Sequence, residues 1–148
     1  MKQIKLFDSG ERGTTLVEFA IALMVFMTAM FAVIEFGRAL WVHNALTDAA
    51  RRGARYAVLN PASDVAGVKN VVVYGDPAGG TQTTVPNLTP DQVTVTYSNF
   101  ALNHGTATVS IEGYQFQFVV PIVGTAITMP KYTTTLPGES VGLVPANL

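Results

Sequence analysis

Between Met1 and Asn60 the chain contains no proline, and from Gly13 it reads GTTLVEFAIALMVFMTAMFAVIEF. A polar leader carrying Lys2, Lys5 and Arg12 gives way to an apolar run over residues 19–34, with one carboxylate, Glu18, at its start. This pattern predicts one uninterrupted helix over residues 14–58. Such a helix is roughly 65 Å long at about 1.5 Å per residue, about twice the thickness of a bilayer core. Half of it can sit in lipid while the other half stands outside. Lys2, Lys5 and Arg12 precede the apolar run, so the positive-inside rule places the N-terminus in the cytoplasm and everything after residue 34 outside.

Two ordinary explanations of this segment compete. A cleaved secretory signal needs a small-residue site after its apolar core, but Glu35, Phe36, Gly37 and Arg38 follow Ile34 and lead on through Trp41 without a break. A permanent anchor fits better, although residues 19–34 span only about 24 Å against a core of about 30 Å. Leu16 and Val17 extend the run, Arg38 can snorkel, and Trp41 can set depth at the interface. Neither explanation needs Glu18.

A carboxylate at the edge of an apolar helix carries a desolvation cost and calls for a partner. A cut between Gly13 and Thr14 would create an α-amino group four residues upstream, largely charged near neutral pH with an unperturbed pKa of about 8. In a packed array of such helices the amine of one subunit could pair with Glu18 of its neighbour and fix their stagger, as buried polar groups fix register in coiled coils. The competing reading makes Glu18 a first-turn acid favoured by the helix dipole and wetted by headgroups.

The leader ending in glycine, the glutamate five positions later in GTTLVEFA and the apolar helix together resemble the class III signal sequences of type IV pilins. With VIEFGRALWVHNALTDAARRGARYAV added, the segment from residue 13 to 58 resembles the TadE-like pseudopilins of the tight-adherence (Tad/Flp) system. The resemblance implies processing after Gly13 by a prepilin peptidase, removing residues 1–13 as a leader. It implies residence in the inner membrane, then service in a surface filament or in the periplasm, with roles in pilus assembly, adhesion or biofilm. Partners would be other copies or other pilins, met through the N-terminal helix, and the inner-membrane assembly machinery. A minor component and the main filament subunit need the same helix. The alternative is an uncleaved, single-pass anchored module that offers an extracytoplasmic β domain to a partner. The family often has a proline soon after the EFA segment, whereas this chain reads IALMVFM there.

Past the apolar run, Val42, Leu46, Ala49, Ala50, Gly53 and Ala57 recur at helical spacing as one narrow stripe. Ala49, Gly53 and Ala57 form a small-xxx-small track suited to a neighbouring helix or to a sheet laid against it. Asp48 can pair with Arg51 or Arg52, and Glu35 with Arg38, each worth a few tenths of a kcal/mol in an isolated helix. Arg55 has no acid at i−3 or i−4, which makes it either a partner contact or a cation favoured near a helix C-terminus.

The pair Asn60-Pro61 ends the helix. Residues 59–148 then read as a β-rich domain. Residues 71–74 form a short strand candidate and residues 75–90 a long loop with three prolines and three glycines. Further strands are expected over 92–97, 106–111, 114–120 and 127–135, the last broken by Pro130, with turns at Gly113 and at Asn103, His104 and Gly105. The expected fold is α+β, one antiparallel sheet packed on the small-residue stripe of the long helix.

Chemistry is sparse. With 13% charged residues and a formal net charge of −1, nothing favours nucleic acid. The chain has no cysteine, which removes disulfides and thiolate metal sites. His43 and His104 have no carboxylate at metal-ligand spacing and read as solvent-facing. Gly79-Gly80 belongs to the loop and not to a phosphate cradle, and Asp76 and Asp91 lack the oxygen density of a calcium site. Asn87-Leu88-Thr89 fits a glycosylation acceptor, a pattern that arises often by chance. No catalytic residue, cofactor site or metal site is expected; the chain reads as a structural protein and not an enzyme.

Overall fold

The computed structural model describes the backbone of residues 9–98, 105–120 and 125–138 and the side chains from residue 13 onward within them. The first helix, α1, runs without interruption over Ser9–Leu59, about 77 Å at the usual rise. No proline or inserted residue breaks its ladder, in keeping with the IALMVFM stretch. Its two halves have different surroundings. From Gly13 to Ile34 nearly every residue is exposed, including Phe19, Met24 and Val33, and none of the most apolar window is buried within the chain. From Glu35 onward one stripe turns inward.

That stripe is Val42, Leu46, Ala49, Ala50, Gly53, Ala54 and Ala57, all buried. Against it pack a second helix, α2 (Val65–Tyr74), and two strands of a sheet. The sheet contains β1 (Val93–Ser98), β2 (Thr106–Ile111) and β5 (Tyr132–Pro137), antiparallel in the order β1-β2-β5. Val109 of central β2 faces Val95 on one side and Thr134 on the other. Val93, Ala107, Val109, Ile111 and Tyr132 point into the core, while the outer face is hydroxyl-rich, with Thr108 bonded to Thr135 and Ser110 to Thr133. The alternation expected for 92–97 and 106–111 is present, within one residue at each end.

Three expectations fail. Residues 71–74 are not a strand; they form the last turn of α2. A run of valines favours strand in isolation, but the helix is fixed at both ends. Asp64 Oδ1 accepts from Gly67 N at 3.0 Å, and left-handed Gly75, at φ +80°, donates its N–H to Val71 O. In place of one sheet there are two. The break expected at Pro130 is present, and there the chain passes from β4 (Ala126–Thr128) to β5 in the other sheet. The strand expected over 114–120 is regular only at β3 (Gln115–Gln117), which pairs with β4 as a separate hairpin. Gly113, at φ +71°, makes the turn into it. The turn expected at Asn103 and His104 lies outside the described residues.

Candidate assembly site

Thr14 and Glu18 sit exposed on the free half of α1. Among the described residues α1 already runs from Ser9, nine residues ahead of Glu18. No ion pair among the described residues involves it. Gly13 also lies inside the helix, and a methyl group built on it meets no heavy atom within 4 Å. Packing within the chain therefore gives no reason for a glycine there. Lys2 and Lys5 and the side chain of Arg12 lie outside the described residues.

The small-residue track is used differently. Ala49, Gly53 and Ala57 are buried against the chain's own head. A methyl group on Gly53 would collide with Val72 Cγ2 of α2 and lie 3.4 Å from Val109 Cγ1 of β2. Both a helix and a sheet occupy the track, so it builds the head. Asp48 pairs with Arg51 at 3.8 Å on the surface. Arg52 borders an open groove of about 520 Å³ with Trp41, Asn44, Asp48 and Thr84. Arg55 is exposed, four residues before the end of α1 at Leu59.

The feature that sequence reasoning missed lies at the joint between the two halves. Glu35 is only 2% exposed. Its Oε1 accepts hydrogen bonds from Val119 N at 3.0 Å and Val120 N at 3.3 Å, and its Oε2 accepts from Arg38. The Arg38 guanidinium lies 5.1 Å from the centre of the Phe116 ring, which meets Phe118 edge-on at 5.3 Å. The pair expected to be worth only a few tenths of a kcal/mol thus joins a buried Glu35, which anchors the segment just after β3, to a partly exposed Arg38. Its signal was positional: residues 35, 42, 46 and 49 share one helical face, so Glu35 extends the core stripe downward.

Five residues past Arg38, His43 Nδ1 and the Tyr132 hydroxyl are 2.9 Å apart, with the rings edge-on. His43 is exposed, in line with the solvent-facing expectation, and also engages β5 through this contact; His104 lies outside the described residues. Burial pushes the Tyr132 phenol above its ordinary range, as it does Tyr114, whose hydroxyl donates to Pro86 O at 2.7 Å. Asp64 raises Tyr56 by accepting its hydroxyl proton at 2.9 Å. Asp76 is spent on the Ala78 N–H of its own loop, and Asn87 is exposed with φ +60°. Among the described residues no group of three or more His, Asp or Glu side chains could hold a metal ion.

A helix long and apolar enough to cross a membrane thus stands bare over its first half and carries a small α+β head on its second. The family model described as TadE-like protein matches residues 13–55, so this segment is similar to TadE-like proteins. The match ends before α2 and all five strands. No curated protein and no solved structure matches the chain.

Proposed function

We propose that the chain is a pilin-like structural subunit, cut after Gly13 by a prepilin peptidase and assembled into a surface filament through residues 14–34, with other copies or other pilins as neighbours. It waits in the inner membrane for the assembly machinery, with the α+β head outside. Glu18 then pairs with the amino terminus of an adjacent subunit and sets the stagger. The observation that carries this reading is the bare apolar half of α1, none of whose most apolar window is buried by the chain's own head, joined to a TadE-like match over residues 13–55. An apolar surface of that size must be covered by lipid or by other helices. Gly13 supports processing, since a buried contact does not require it and a glycine weakens the helix locally by about 1 kcal/mol.

The test is the intact mass and N-terminal sequence of the protein from sheared surface material and from membranes, for the native chain and for Glu18→Ala. The reading expects a chain beginning at Thr14 in the sheared fraction, and a Glu18→Ala protein that is cut and inserted but missing from that fraction. A native chain that keeps Met1 and remains in the membrane would refute processing and assign the anchored module instead. Normal incorporation of Glu18→Ala would refute the register role.

A further inference from the structure

Beside the buried stripe of α1 runs a flank that the head leaves open. Trp41, Asn44, Asp48 and Arg52 stand on it at spacings of three and four, and they form one wall of the groove of about 520 Å³. Gly75 and Thr84, where the chain leaves α2, form the other. That second wall is fixed. Thr84 donates its hydroxyl to the carbonyls of Val72 and Val73, and its N–H to Val73 O at 2.7 Å. Gly75, at φ +80°, puts no side chain into the space. The volume falls within the range of about 300–1,000 Å³ usual for small-molecule sites. We propose that this groove binds a neutral saccharide, with Trp41 as its stacking platform and Asn44, Asp48 and Arg52 as its hydrogen-bonding edge. The site needs only the head as folded and is independent of assembly.

The lining selects that class of ligand. Trp41 is the only tryptophan in the chain, and it is 57% exposed at the edge of the groove. A large amphipathic ring left open in this way has contact area to offer. The polar groups beside it are unspent. Asn44 and Arg52 make no side-chain hydrogen bond or ion pair among the described residues, and Asp48 meets only Arg51, at 3.8 Å between two exposed side chains. Such a surface pair is weak. The Asn44 amide therefore remains free to donate and accept, the Asp48 carboxylate to accept, and the Arg52 guanidinium to donate.

Charge decides between ligands. Asp48 repels an anion and Arg52 repels a cation, so the groove favours a neutral molecule. A phosphate or carboxylate would call for convergent cations without the acid. A sugar ring joins a flat C–H face to hydroxyls that both donate and accept, and an indole beside an amide, a carboxylate and a guanidinium answers both. From Trp41 to Arg52 the wall runs about 16 Å along α1, directed away from the apolar run. The groove thus stands on the watery side of any bilayer that the run crosses.

The test uses the full chain in a zwitterionic detergent without a sugar headgroup, screened on an array of neutral and sialylated glycans. Each glycan that binds is then titrated while the emission of Trp41 is followed. The proposal expects saturable binding of at least one neutral glycan, with a blue shift of that emission. Trp41→Ala and Asp48→Ala, read by saturation-transfer NMR on the glycan protons, should each weaken binding about tenfold or more. Both positions are exposed, so far-ultraviolet circular dichroism of the variants should match that of the native chain. Absence of saturable binding to every neutral glycan would overturn the proposal, and so would binding that both substitutions leave unchanged. Preference for the sialylated members would overturn the charge argument. A blue shift on concentrating the chain without glycan would assign the groove to a second copy, and quenching of Trp41 by brominated lipid in nanodiscs would assign the ring to the bilayer surface; either result would overturn the saccharide site.

Discussion

Replacing Gly53 by alanine tests the joint on which the head is built. The added methyl group would collide with Cγ2 of Val72, a fully buried side chain on the facing helix. Valine in a helix has one strongly preferred rotamer, so it cannot swing aside cheaply. Nor is α2 free to retreat. Asp64 holds its first turn through Gly67 N and Tyr56, and Thr84 Oγ1 donates to the carbonyls of Val72 and Val73 at 3.0 and 3.1 Å. Overpacking of this kind costs about 1–3 kcal/mol, whereas alanine in place of a helical glycine returns about 1 kcal/mol. Gly53→Ala alone should therefore destabilise by up to about 2 kcal/mol. Val72→Ala alone removes two buried methyl groups, at about 0.8 kcal/mol each plus a cavity term. In the Val72→Ala background the clash is gone, and Gly53→Ala should stabilise by about 1 kcal/mol. The prediction is thus a change of sign, measured by denaturant midpoints of the full chain in detergent micelles at constant m-value. Additivity of the two substitutions within about 0.5 kcal/mol would show that Gly53 and Val72 do not meet, and would refute the packing argument.

Asp64→Ala removes the cap of α2 together with the acceptor of the Tyr56 hydroxyl. A loss of about 2 kcal/mol is expected, with Asp64→Asn recovering much of it; equal midpoints for the native chain and Asp64→Ala would count against the cap. Alkaline pH should unfold the head. Tyr97, Tyr114 and Tyr132 are raised above 10.0 chiefly by burial, and Tyr56 chiefly by its bond to Asp64. The folded state therefore holds these protons more tightly than the unfolded chain, so stability is complete below pH 10 and falls as pH climbs through the folded values. Absorbance of phenolate should rise together with loss of helical circular dichroism; full ionisation at pH 10 with the fold intact would contradict the burial.

Helix α1 was legible because its signal is local and repeated: a long stretch free of proline, an apolar run, then small residues at spacings of three and four. Strands β1 and β2 were legible for the same reason, since Val93, Val95 and Tyr97 alternate with threonines and serine. Helix α2 was not. Its valines carry a strand propensity, and what overrides it is the fit of Val72 into the space over Gly53, a contact between positions far apart in sequence. Pro130 was visible as a break, but the transfer of the chain to another sheet depends on which partner each half finds. Glu35 could be seen to reach Arg38; that it also receives two N–H groups from residues 119 and 120 is information the local sequence does not contain.

The buried carboxylate at residue 35 also divides the molecule energetically. Above it the core residues of α1 share one cluster with residues of α2, β2 and β5; below it none of the most apolar window is buried by the described residues. The cut proposed after Gly13 falls about 43 Å along the helix from Val42, the first buried apolar residue of the core. Removing a leader at that distance leaves the head core untouched, so precursor and mature chain should carry the same folded head. On the proposed reading, residues 14–34 exchange lipid for neighbouring helices without disturbing the sheet.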